Sequence, residues 1–360
     1  MTEKPFIPIV EAPVRRGRGA AYNPASRFDS AHYVEDPAEL GAGELRQVPT
    51  RFYSDSSKSA LARNDSPDVP FTFSLNPYRG CEHGCIYCYA RPSHEYLGFS
   101  AGLDFETRIV VKHDAPTLLA GAFESAAWKP QVVALSGNTD PYQPVERRLE
   151  LTRKCLEVFK EYRNPVSIIT KNQLVVRDTD VLSDLASSNL VQVTVSITSL
   201  RPEIIRVMEP RTTSPEARLR TIEKLAAKGI RVGVNVAPII PGLTDEEMPE
   251  IIKRAADAGA SRANYIIVRL PGPVKPLFLE WLHREFPDRA DRVLNRLRDL
   301  RGDSLTDPRF KIRHRGEGNW AEILNRLFHL SRKKHGLDRT ASTLSTDLFR
   351  RRRERQLGLF

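Results

Sequence analysis

Three of the four cysteines of this 360-residue chain fall in one stretch, NPYRGCEHGCIYCYARPSHEYLG (76–98), spaced Cys81-x3-Cys85-x2-Cys88. Thiolates are soft donors that suit zinc or an iron–sulfur cluster. A four-iron cluster ordinarily takes four cysteines, and this loop supplies three, which would leave one iron open to an exogenous molecule. The remaining cysteine, Cys155, lies in LTRKCLEVFK (151–160), a helical pattern in which a lone cysteine packs as a small apolar residue. The competing assignment is structural zinc, with His83 or His94 as fourth ligand. Against it stands the x3-then-x2 spacing, because zinc knuckles repeat paired C-x2-C steps. Four cysteines in 360 residues do not make a disulfide framework, and three of them clustered in this way indicate metal or redox chemistry in a reducing compartment.

The elements that must hold this loop are read from hydrophobic periodicity. β-branched runs occur at TFSLN (72–76), QVVALSG (131–137), VSIITK (166–171), LVQVTVSIT (190–198), IRVGVNVAP (230–238) and ANYIIVRLP (263–271). Amphipathic stretches separate them, which implies helical crossovers and a parallel sheet. Two of these helices carry clear punctuation. Ser214 and Pro215 open one whose stripe is Leu219, Ile222 and Leu225, ending at Gly229. Thr244 and Glu247 form a capping box for the next, which carries Ile251, Ile252 and Ala255 before Gly259.

The fourth strand bears on architecture. Gln192, Thr194, Ser196 and Thr198 share one face, while Val191, Val193, Val195 and Ile197 share the other. Arg231, Gly233, Asn235 and Ala237 repeat the polar or small face on the fifth. Flat parallel sheets covered by helices are apolar on both faces; a barrel with a polar lumen is not. Six units are fewer than the eight of a closed barrel, so the expected fold is α/β, an open (β/α)6 TIM-like barrel. The expected divisions are an extended N-terminal arm (1–65), the barrel (66–275), a helical C-terminal extension (276–340) and a basic tail (341–360). In the extension, Leu279, Leu282 and Phe286, then Val293, Leu294, Leu297 and Leu300, then Trp320, Ile323, Leu324, Leu327 and Phe328 mark three helices.

C-x3-C-x-aromatic-C after the first strand of a partial barrel resembles the signature of the radical S-adenosylmethionine superfamily. That resemblance implies a [4Fe–4S] cluster on Cys81, Cys85 and Cys88, and S-adenosylmethionine on the open iron. One electron then gives a 5′-deoxyadenosyl radical that abstracts hydrogen from substrate. It further implies cofactor contacts: Tyr87 beside the adenine, Asn138 and Thr139 in SGNTD (136–140) near the methionyl amine, Lys171 at the end of the third strand, Ser196 at ribose or carboxylate, and Ala237, before Pro238, at the adenine. An electron donor such as flavodoxin or ferredoxin is the implied partner. Within the superfamily, NPYRGCEHGCIYCYAR and GNTDPYQPVE (137–146) look most like the spore photoproduct lyase-related group, whose lyase reverses a thymine dimer in DNA. Tyr89 matches that lyase's tyrosine after the third cysteine, a catalytic radical relay. Where the lyase has a cysteine as hydrogen donor, this chain has Gly137, so the lyase's own return path is not supported.

The net charge of +10 and pI near 9.5 suit a polyanionic partner. Basic residues concentrate at Arg15, Arg16 and Arg18, at Arg332, Lys333 and Lys334, and at Arg350 to Arg353; as flexible arms they would contact phosphates. The terminal Gln356-Leu357-Gly358-Leu359-Phe360 resembles peptides that dock bacterial repair and replication proteins on the sliding clamp. No apolar run reaches the roughly 18 residues of a membrane helix, and the first residues lack the core of a signal peptide, so a cytoplasmic protein is expected. Nucleic acid, damaged DNA included, is the leading substrate class. The rivals are radical chemistry on a protein or small molecule, and a zinc-stabilised nucleic-acid-binding module without catalysis.

Overall fold

The computed structural model describes residues 17–28, 48–338 and 343–352. Four short strands come first: β1 (Arg51–Ser54), β2 (Leu61–Arg63), β3 (Phe73–Leu75) and β4 (Tyr78–Arg79). Then follow α1 (Leu103–Thr107), β5 (Arg108–Val111), α2 (Ala115–Glu124), β6 (Val133–Leu135), α3 (Glu146–Leu149), α4 (Leu151–Tyr162) and β7 (Val166–Thr170). The chain continues through α5 (Thr179–Ser187), β8 (Val191–Ser196), α6 (Pro202–Met208), α7 (Pro215–Ala226), β9 (Arg231–Ile239), α8 (Met248–Asp257) and β10 (Arg262–Ile267). Helices α9 (Val274–Glu285), α10 (Pro287–Asp299) and α11 (Gly318–Lys334) complete it.

The six expected strands are β3, β6, β7, β8, β9 and β10, and they lie side by side in chain order, all parallel. Their valines and isoleucines face the crossover helices in one continuous core, which is the burial that drives the alternating pattern. β2 adds an antiparallel edge beyond β3, an edge strand that the sequence pattern does not mark. Among the described residues no pairing joins β10 to β2, and the barrel is open.

Register aligns the polar face: Gln192 lies opposite Arg231, Thr194 opposite Gly233 and Ser196 opposite Asn235. Much of it is satisfied internally. Arg262 on β10 reaches across Gly233, where a Cβ would sit 2.7 Å from its Cγ, and donates to Gln192 Oε1 and to Thr194 Oγ1 at 3.2 Å. Gln192 in turn donates to Ser167 Oγ at 3.0 Å. Glycine at 233 is required by this close approach, and only the upper end of the polar face is left for a ligand.

Several expectations are corrected. Thr244 and Glu247 make no capping box: Thr244 Oγ1 accepts from Ile240 N at 2.9 Å. Glu247 reaches Ser199 Oγ at 2.8 Å and Leu200 N at 2.7 Å, because the chain starts α8 only at Met248, with Pro249 in its first turn. Ser214 precedes α7 without a side-chain cap bond. Ile323 of α11 is 51% exposed, since α11 buries only Ala321, Leu324, Phe328 and Ser331.

The basic ends are also less free than expected. Arg18 donates to Glu106 O at 3.0 Å and Val48 O at 2.6 Å. Ser345 N donates to Asn189 O and Arg350 N to Tyr162 O, both at 3.0 Å, while Arg352 pairs with Glu161 at 2.6 Å. Phe349 stacks edge-on to Phe123, so residues 349–352 lie along α2 and α4 while Thr343 and Ser345 meet Asn189. Lys333 and Lys334 are exposed at the end of α11. Arg15, Arg16, Arg353 and the terminal Gln356, Leu357, Leu359 and Phe360 lie outside the described residues. Among the described residues no helix is long and apolar enough to cross a membrane.

Candidate active site

The cysteine loop leaves β4 through Gly80 and folds over the C-terminal ends of the parallel strands. Backbone bonds pin it at both sides: Cys81 N donates to Phe105 O at 2.8 Å and Ile86 N to Met208 O at 3.1 Å. Its organiser is Arg91, fully buried. Arg91 donates to Cys85 O at 2.9 Å, to Gly102 O at 2.9 Å and to Ala101 O at 3.1 Å, and it pairs with buried Glu106 at 2.5 Å. Glu106 also accepts from Gly19 N at 3.0 Å and Ala20 N at 2.9 Å. The segment expected to be a flexible arm is therefore, over 18–20, a strap sealing the cysteine loop. A Cβ on Gly19 would lie 1.9 Å from Gly84 O, so only glycine passes there.

Gly84 has φ +67° and an added Cβ would sit 2.6 Å from Glu106 Oε2. Gly84→Ala is expected to cost about 1–3 kcal/mol and to lower iron retained per chain after reconstitution. Unchanged melting and iron content would show that the strap is not needed to shape the loop.

Cys81 and Cys85 are buried and Cys88 half-buried. Burial pushes all three thiols up, and Cys85 is raised further by Glu209, Cys88 and Cys81, with Lys171 opposing. Neither histidine joins them. His83 faces Asp140 at 3.4 Å and Asn172 at 3.1 Å, and His94 Nε2 lies 2.9 Å from Arg108 O; burial lowers both rings to about 4. Among the described residues no three His, Cys, Asp or Glu side chains converge as the ligands of one ion. The zinc assignment loses its fourth ligand, whereas a cubane spreads its cysteines over three irons.

Behind the loop lies a network that sequence reasoning missed. Glu209 is 1% exposed and Arg218 is fully buried. They form an ion pair, and Glu209 also accepts from Tyr87 OH and, at 2.6 Å, from Thr198 Oγ1. Arg218 donates to Ser196 O at 3.0 Å and to Thr213 O at 2.8 Å. Burial would raise the Glu209 carboxyl, but Arg218, Lys171 and the two hydroxyls together hold it at about 2. A signal was present: Arg218 precedes Ile222 and Leu225 at helical spacing on the buried stripe of α7, and a charge there demands a buried partner.

This network gathers four of the expected cofactor residues. Tyr87 and Ser196 bond to it directly. Lys171 Nζ stands 5.9 Å from the Tyr87 ring centre, and Ala237 O accepts from Thr198 Oγ1 at 3.0 Å. Asn138 and Thr139 lie apart, on the β6 loop, where both backbone N–H groups donate to Asn76 Oδ1. The Thr139 hydroxyl is committed to Tyr78 O at 3.0 Å, so it holds the loop rather than facing a ligand. Tyr89 reaches the same loop, its hydroxyl donating to the carbonyl of Gly137. Its ring is 52% exposed at the barrel mouth.

The residues fit a [4Fe–4S] cluster with S-adenosylmethionine. Three thiols on one loop, two buried and one half-buried, provide a soft donor set. Opposite Ser196, the amide oxygen of Asn235 is buried without a partner, an acceptor that a polar ligand would complete.

The model of the Radical SAM superfamily matches residues 75–255, and the chain belongs to that superfamily. An uncharacterized protein of Mycobacterium tuberculosis (strain ATCC 25618 / H37Rv) is 37% identical over 244 residues, covering 67% of this chain and 72% of that one. Spore photoproduct lyase of Clostridium acetobutylicum is 27% identical over 190 residues, 51% of this chain and 52% of the lyase. Among solved structures, a spore photoproduct lyase variant superposes with a TM-score of 0.56 at 17% identity, covering 81% of this chain and 85% of that one. Another, with bound AdoMet and dinucleoside spore photoproduct, gives 0.54, covering 81% and 85%. The fold is that of the lyase.

Proposed function

We propose that this protein abstracts hydrogen from a nucleic-acid substrate, with Tyr89 as the residue that meets the substrate radical. The observation that carries this reading is the placement of Tyr89, its phenol on the Gly137 carbonyl where the lyase has its cysteine donor, at the open mouth of the barrel. When bound, the cluster and S-adenosylmethionine supply, for one electron, the radical that takes the first hydrogen atom. The chain's residues do the rest. Cys81, Cys85 and Cys88 hold the iron, Tyr87, Lys171, Ser196 and Ala237 line the cofactor's place, and the strap over 18–20 keeps water from the loop. Tyr89 then gives its hydroxyl hydrogen to the substrate radical: the O–H bond breaks, a C–H bond forms, and an external reductant of the flavodoxin or ferredoxin class returns an electron, with a proton from water, to the phenoxyl. The relation to spore photoproduct lyase supports a nucleic-acid substrate.

The test is 5′-deoxyadenosine release by anaerobically reconstituted protein, with and without single-stranded or ultraviolet-treated DNA. Stimulation by DNA is expected; indifference to DNA would move the chemistry to a protein or small molecule. In Tyr89→Phe, 5′-deoxyadenosine should still form while product falls on the order of 100-fold, roughly 2.7 kcal/mol in barrier. Equal product from the variant would remove Tyr89 from the path.

A further inference from the structure

Just past the end of β10 the fold buries a cation that no carboxylate pairs among the described residues. Arg301 is 4% exposed. Its Nη2 donates to Val268 O at 3.0 Å, but Nε and Nη1 are buried and meet no partner. The residue after Val268 is Arg269, whose guanidinium stands 5.9 Å from the centre of the Tyr89 ring and lies 3.2 Å from His314 Nε2. Two carboxylates are near, and both are engaged elsewhere: Asp307 pairs with Arg309 at 2.7 Å and Asp68 with Arg313. An uncompensated buried guanidinium costs several kcal/mol, and the fold keeps one beside a second, close to the group that meets the substrate.

Burial lowers both arginines, Arg301 to about 10, and Arg269 lowers Arg301 further, so both remain cationic at neutral pH. His314 is lowered to about 4 by burial, then Arg269, and is neutral there. Asp68 and Asp307 act in the opposite sense on Arg269 and Arg301, but their own arginines already occupy them. The net local field is positive and enclosed, where charge-assisted hydrogen bonds are strongest.

We propose that Arg269 and Arg301 form a binding site for one phosphodiester of the substrate, holding the adjacent nucleotide against Tyr89. The proposal rests on the nucleic-acid reading and adds the group by which that substrate is held. A phosphodiester offers two non-bridging oxygens on one charge, and the guanidinium of Arg301, held on the Val268 carbonyl, with that of Arg269, the next residue in the chain after Val268, suits it better than an ammonium would. Hydrogen bonds between charged groups are worth about 1.5–3 kcal/mol, which corresponds to roughly 10- to 100-fold in affinity.

The experiment uses the reconstituted holoenzyme and equilibrium dialysis of thymidine dinucleotide with its natural linkage against the uncharged methylphosphonate analogue. The natural linkage is expected to bind about 10- to 100-fold tighter. That preference should fall to near one in Arg301→Met and in Arg269→Met. Both variants should keep the S-adenosylmethionine-dependent shift in the spectrum of the reduced cluster, and Arg301→Met should melt no lower than the parent, since it removes an unpaired charge. If DNA stimulates 5′-deoxyadenosine release but the variants keep the full preference, the site is overturned and the nucleic-acid reading stands. If DNA neither stimulates nor binds in either form, both fall. A preference for a carboxylate-bearing peptide over the dinucleotide would also overturn the site and would assign a protein substrate.

Discussion

Alanine in place of Cys85 is expected to leave a folded protein that retains background iron and releases no 5′-deoxyadenosine. The backbone at this position is held by groups that the substitution does not touch: Arg91 takes the Cys85 carbonyl at 2.9 Å and Cys88 N donates to it at 3.2 Å. What is lost is one of three thiolates, and two cannot hold a cubane with one iron free for a cofactor. The reference is Cys155→Ser. Cys155 is fully buried in the α4 core, among Leu156 and Phe159, so this change should lower stability by about 1–3 kcal/mol and leave iron at the parent level. Iron per chain and the spectrum of the reduced protein decide the matter. Full iron loading by Cys85→Ala would sink the cluster assignment. Because burial holds the three thiols protonated, loading must release protons and should become more favourable as pH rises.

Breaking the Glu209–Arg218 pair is expected to give a large loss of stability. Both partners are enclosed, and removing one of a buried pair costs about 3–5 kcal/mol because the other charge stays behind. Glu209→Gln leaves Arg218 with Thr212, Thr213 and Ser196 O only, and Arg218→Met leaves the carboxylate on hydroxyls. The double variant should recover part of the loss, which is the signature of a paired contribution. The pH dependence has a definite sign. The folded carboxyl titrates at about 2, below its ordinary 4.5, so its contribution is fully present above about 4.5 and is lost as pH falls from there through 2. The parent should therefore lose melting temperature on acidification faster than Glu209→Gln does. Parallel curves would mean that Glu209 is not the group responsible. Because Glu209 also holds the Tyr87 hydroxyl, the same substitution should weaken S-adenosylmethionine binding.

How much of this was legible beforehand follows the range of the forces involved. The strands were legible because alternation is a local consequence of one buried face, and six such runs separated by helical stripes admit few topologies. The lumen was legible in part: Gln192 and Thr194 mark a polar face, but nothing local says that Arg262 crosses Gly233 to satisfy them. Charge was the least informative signal. Arg18, Arg350 and Arg352 read as phosphate-seeking arms and are spent on carbonyls and on Glu161, while Arg269, 5.9 Å from the Tyr89 ring centre, stood unremarked in an expected strand and Arg301 in the expected helical extension.

By itself the sequence determined the superfamily, through three cysteines whose spacing suits a cluster with one open iron, and the parallel order of the strands beneath them, through periodicity. Tertiary structure alone decided which charges are enclosed. The Arg91–Glu106 pair gathers Gly19 and Ala20, the Glu209–Arg218 pair gathers Tyr87, and Arg301 reaches the Val268 carbonyl, so each brings together segments far apart in the chain. The energy of a buried charge depends on what surrounds it in space, and no window of neighbouring residues carries that information.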